Sequence, residues 1–82
     1  MLQLPELRQE LTPNSPDEAA RLTELAQLVT ATAPLADVRD LAPKVRKLFP
    51  EPAYLVGCGG SHIWLHRANE AGRLACILDR YQ

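Results

Sequence analysis

Neither sign of charge dominates this chain: nine Lys and Arg stand against ten Asp and Glu, a formal net charge of −1. So balanced a composition argues against a generic polyanion binder. Two cysteines are too few for a disulfide framework. The strands on which Cys58 and Cys76 are expected lie about 9 to 10 Å apart, too far for a bridge. Reduced thiols and a cytoplasmic setting are therefore expected. Long apolar runs are also missing, and none approaches the roughly 20 residues of a membrane span. The first residues lack the basic-then-apolar pattern of a leader peptide. There is no internal repeat, low-complexity stretch or long linker, so residues 1–82 read as one domain, near the lower size limit for a core without staples.

What is present falls into two parts, a helical part over 4–49 and a β-rich part over 53–81. Leu4, Leu7 and Leu11 recur at helical spacing behind Pro5, which suits a first helical turn. Ser15-Pro16-Asp17-Glu18 predicts a second helix start. Ser15 caps it, Pro16 takes the first position, and Glu18 reaches back to the Ser15 amide as a capping box. That helix runs to about Thr32, with Ala19, Leu22, Leu25 or Ala26, and Val29 as its buried stripe. A third helix spans about Leu35 to Phe49, with Val38, Leu41 or Ala42, Val45, Leu48 and Phe49 as its apolar positions, and Pro43 predicts a kink or a split into two.

The last thirty residues read as a three-stranded antiparallel meander. Ala53–Cys58, Ser61–Ala68 and Arg73–Tyr81 are the strands, joined by Gly59-Gly60 and by Asn69-Glu70-Ala71-Gly72. Tight, even turns pair Val56 with Ile63, Leu55 with Trp64, and Trp64 with Ile77. One face then holds Tyr54, Val56, Cys58, Ile63, Leu65, Leu74, Cys76 and Leu78. The other holds a row of Leu55, Trp64 and Ile77, flanked by His62, His66, Ala75 and Asp79. An extra residue near Gly72 would reverse the third strand. The fold class is therefore α+β, two to three N-terminal helices packed on the meander. The helices shelter the first face. The second needs a homodimer, another protein, or the segment Leu2–Leu11 folded back over it.

Candidates for chemistry are few. His62 and Asp79 face one another in this register, a pairing that raises an imidazole pKa. Ser61 is adjacent to His62 on the same strand and points to the opposite face, so no serine triad forms. His62 and His66, four apart on a strand, are about 13 Å apart and cannot share a metal. Gly57-Cys58-Gly59-Gly60 leads into a strand and lacks the helix terminus of a phosphate loop. Neither metal nor cofactor is expected. Arg39, Lys44, Arg46 and Lys47 give the third helix a basic side, and helix followed by hairpin resembles a winged-helix DNA-binding layout.

The third helix, the hairpin, Gly60-Ser61-His62 opening the second strand and His66 near its end together resemble the core of the HicA messenger-RNA interferase toxins. The resemblance covers roughly the last forty-five residues and rests on that tripeptide. It implies a double-stranded-RNA-binding-like fold and a catalytic role for His62. The chain departs from that pattern at Val56-Gly57-Cys58, where a basic, RNA-facing strand would be expected. The residues themselves favour a small non-enzymatic interaction module, an adaptor, regulatory subunit or inhibitor. It would act through Leu55, His62, Trp64, His66, Ile77 and Asp79 or through a sheet edge.

Overall fold

The computed structural model describes residues 5–31, 38–59 and 61–78. Strand β1 (Glu6–Gln9) is followed by helices α1 (Pro16–Ala31) and α2 (Val38–Leu48), then by strands β2 (Tyr54–Gly59), β3 (His62–Arg67) and β4 (Arg73–Leu78). The four strands form one antiparallel sheet in the order β1-β4-β3-β2. The α+β class is as the sequence predicts. The first predicted helix, however, is a strand. Leu7 and Leu11 both pack against the core, and a separation of four fits one face of a helix and one face of a strand equally well. Pairing decides between them: Leu7 lies opposite Ile77, and the Glu10 and Leu11 amides both donate to the Leu74 carbonyl, at 2.9 and 3.3 Å. This segment therefore extends the sheet instead of folding back over it.

The start of α1 is built as expected, with one change. Ser15 Oγ accepts from the Glu18 amide at 3.1 Å, satisfying one orphan donor of the first turn. The Glu18 carboxylate does not return to Ser15; it accepts from the Asn14 amide at 3.1 Å. Leu22, Leu25 and Val29 make the buried stripe. Helix α2 continues through Pro43 as one uninterrupted helix. The proline is exposed, so the hydrogen bond it removes is lost on the solvent side, where water can hydrate the freed carbonyl. Val38, Leu41, Ala42 and Val45 face inward. Leu35, the expected start of this helix, lies outside the described residues.

The β2–β3 register is offset by one turn residue from the predicted one: Gly59 pairs with His62, Gly57 with Trp64 and Val56 with Leu65. That displacement preserves which side chains share a face. The β3–β4 pairing does not. Leu65 pairs with Ala75 and His66 with Arg73, leaving Leu74 as an extra residue on β4. The bulge lets consecutive residues Leu74 and Ala75 both enter the core and reverses the strand beyond them. Ile77 consequently packs inside, 2% exposed, and Cys76 and Leu78 move to the opposite face, paired with Trp64 and His62. The predicted Leu55–Trp64–Ile77 row is thus broken.

Candidate interaction surface

Side chains of Leu7, Val56, Ile63, Leu65 and Ile77 join the helices in one core. The other side of the sheet carries Arg8, Cys76, Trp64 and Gly57 in one cross-strand row, with Leu55, His62 and His66 around it. Gly57 and Gly59 fall on this side two residues apart, leaving a strip of β2 without side chains. The Trp64 ring lies across that strip. A methyl group at Gly57 would sit 3.4 Å from Trp64 Cε3, and one at Gly59 would sit 3.3 Å from Cζ3. The His62 ring stacks nearly parallel to the indole, 9° between planes and 6.0 Å between centroids. The Arg73 guanidinium stands 5.4 Å from the Trp64 ring centroid, within cation–π reach. Cys76 is buried on this side, and burial pushes its thiol pKa up.

The indole Nε1–H is buried without a hydrogen-bond partner among the described residues. Leu55, on edge strand β2, is the large hydrophobic residue left exposed among the described residues, at 54%. Gly59→Ala tests the platform. Its methyl would press on the Trp64 ring, which lies between it and its Arg73 and His62 neighbours and must give by a few tenths of an ångström. A shift of the tryptophan emission to longer wavelength and a loss of about 1 kcal/mol in chemical unfolding are expected. Unchanged emission would mean the ring lies elsewhere.

The residues expected at an interface therefore divide. Leu55, His62, Trp64 and His66 share the side of the sheet away from the helices, the last three half-buried; Ile77 does not; Asp79, the proposed partner of His62, lies outside the described residues. Lys44, Arg46 and Lys47 are exposed on α2, and the side chain of Arg39 is outside the description. Arg73, Leu78 and the two glycines were missed by sequence reasoning. The glycines had a legible signal, two gaps at strand period on a segment predicted to face Trp64.

A second polar cluster lies at the other end of β2. Glu18, only 2% exposed, receives Arg67 Nε at 3.1 Å, Tyr54 Oη–H at 2.9 Å and a second, close Arg67 contact through Nη2. Arg67 also donates to Glu70 at 2.9 Å and to the Thr12 carbonyl at 3.0 Å. The Arg67 hydrogen bonds, opposed by desolvation, hold the Glu18 carboxyl down at about 2. Nearby, Arg21 forks onto Glu51, bonds Asp17 at 3.2 Å and lies over Phe49 and Tyr54 at 5.8 and 5.9 Å. A cleft of about 220 Å³ opens beside Glu18, Tyr54 and Arg67. Its charged side chains are paired with one another, so the cluster ties α1 to β2 and β3.

Among the described residues no group of three or more His, Cys, Asp or Glu could hold a metal ion, and no helix is long and apolar enough to cross a membrane. Comparison with known proteins finds no match: no family model, no curated protein and no solved structure.

Proposed function

We propose that this chain is a protein-binding module without catalytic activity, docking another polypeptide on the side of its sheet away from the helices and along β2. The observation that carries the reading is Leu55. Over half exposed, it sits on an edge strand beside a tryptophan whose indole N–H has no partner among the described residues. Tryptophan and arginine next to apolar surface are the residues enriched at interface centres. An open strand edge adds the backbone groups used in strand addition. Regulatory subunits, adaptors and inhibitors are the roles such a module serves.

The test is capture of companions from the host by a tagged chain, set beside a Leu55→Asp version with the same melting behaviour. The reading expects a stoichiometric companion that the substitution removes, and identical companions for both chains would overturn it. Two other readings have separate signatures. RNA cleavage through His62 expects growth arrest on expression, abolished by His62→Ala. DNA binding through the exposed Lys44, Arg46 and Lys47 expects an affinity that falls steeply with salt.

A further inference from the structure

The two edges of the sheet are not alike. Strand β1 is four residues long, and three of them, Glu6, Arg8 and Gln9, are charged or polar. Thr12-Pro13 follows shortly after. Short, charged edges of this kind resist pairing with another chain. Strand β2 is six residues long, and no Lys, Arg, Asp, Glu or Pro occurs from Ala53 to Gly60.

The backbone groups that β2 turns outward can be identified. The Ala68 amide donates to the Ala53 carbonyl at 2.7 Å, in the same register as the ladder that follows. Hydrogen-bonded pairs alternate along an antiparallel ladder, so Leu55, Gly57 and Gly59 bond to β3. Tyr54, Val56 and Cys58 direct their N–H and C=O groups away from the sheet. Of these, the Tyr54 amide is already used, donating to the Glu51 carbonyl at 3.0 Å.

We infer that β2 pairs with β2 of a second copy of this chain, antiparallel about a two-fold axis through Val56, making one continuous sheet across both copies. The inference rests on the protein-binding reading above and names the partner. Three features select a second copy. The outward positions are symmetric about Val56, so each Val56 amide meets the other copy's Val56 carbonyl, and each Cys58 amide meets the other copy's Tyr54 carbonyl. The same register would also aim each Tyr54 amide at the other copy's Cys58 carbonyl; because that amide already donates to Glu51 within the chain, four backbone bonds, two from Val56 and two from Cys58, cross the axis. The side chains also match. The axis places Leu55 opposite Gly57 of the other copy, at a pair without hydrogen bonds, where side chains approach most closely. The exposed leucine thereby meets a position with no side chain and the Trp64 ring that lies over it. An edge without ionised side chains also meets its own copy without like-charge repulsion.

Sedimentation equilibrium of the whole chain with its thiols kept reduced tests this. From micromolar to millimolar concentration, the mass is expected to rise from one chain towards two. Leu55→Lys places a charge at the join, and Cys58→Pro removes an outward N–H that β3 does not use. Each is expected to weaken association by about tenfold or more, with melting of the single chain kept by Leu55→Lys. Gln9→Lys, on the β1 edge, is expected to leave association unchanged. A single chain at millimolar concentration, a dimer indifferent to Leu55→Lys, or one weakened equally by Gln9→Lys would each overturn the inference. A monomer that still loses a captured companion with Leu55→Asp would remove the second copy while leaving the protein-binding reading intact.

Discussion

Arg67→Met is expected to destabilise the protein by about 3–5 kcal/mol, because it strands a carboxylate in the interior. Glu18 is 2% exposed and Arg67 supplies its charged partner. Without the guanidinium, the Asn14 amide and the Tyr54 hydroxyl are the partners left to the charge among the described residues. A domain of this size has a total stability of roughly 4–12 kcal/mol, so the variant sits close to unfolding. Glu18→Leu combined with Arg67→Met removes both charges and is expected to recover much of the loss, since replacing a whole buried pair by apolar groups is often near neutral.

The same pair sets the acid limb of stability. Glu18 is held at about 2 in the folded chain against an ordinary value of 4.5. A depressed carboxyl stabilises the folded state above the unfolded pKa and ceases to as pH falls towards the folded one. Urea unfolding is therefore expected to lose about 3 kcal/mol between pH 5 and pH 2 through this group. Glu18→Gln should flatten that limb. A Gln variant with the wild-type acid profile would assign the loss to other carboxylates.

Ile77→Lys is expected to abolish folding, whereas its neighbour Leu78→Lys is expected to cost about 1 kcal/mol. Ile77 is enclosed by the core at 2% exposure, and a lysine there has no partner for its ammonium, a change of more than about 4 kcal/mol. Leu78 is half-buried on the side away from the helices, opposite Glu6 on β1, where a cation is tolerated. Circular dichroism and melting of the two variants check this. The opposite ranking would mean that the Leu74 bulge is absent and that β4 runs in the simple alternating register.

That bulge marks the limit of what the residues alone disclose. Alternation assigned Ile63 and Leu65 to the core and Leu55 and Trp64 to the other side, and all four stand there, because β2 and β3 pair without interruption. Displacing the turn by one residue left parity untouched. A bulge has no composition signature as strong as a turn's. Leu74, Ala75, Cys76, Ile77 and Leu78 are all apolar, so nothing in the run says where alternation slips. What settles it is the depth of the core, which admits Leu74 and Ala75 together.

The helix stripes were legible for the opposite reason. Leu22, Leu25 and Val29 on α1, and Val38, Leu41 and Val45 on α2, are apolar residues among polar ones. β1 was misread because Leu7 and Leu11 satisfy both periods, and only the vacant side of β4 decides for a strand. Glu18 was legible as a cap but not as a buried anion. Its partner Arg67 is 49 residues away, and no local pattern joins them. The surface was half legible: Leu55 and Trp64 were found, while the contribution of Arg73 depends on the bulge that pairs it with His66.

The outward-facing backbone of β2 underlies the proposed strand pairing, and amide hydrogen exchange read residue by residue in dilute solution examines it directly. Slow exchange is expected at Leu55, Gly57 and Gly59, whose amides bond to β3, and fast exchange at Val56 and Cys58 between them. Uniform protection from Leu55 to Gly59 in the isolated chain would show that the edge is already covered, and would contradict the account.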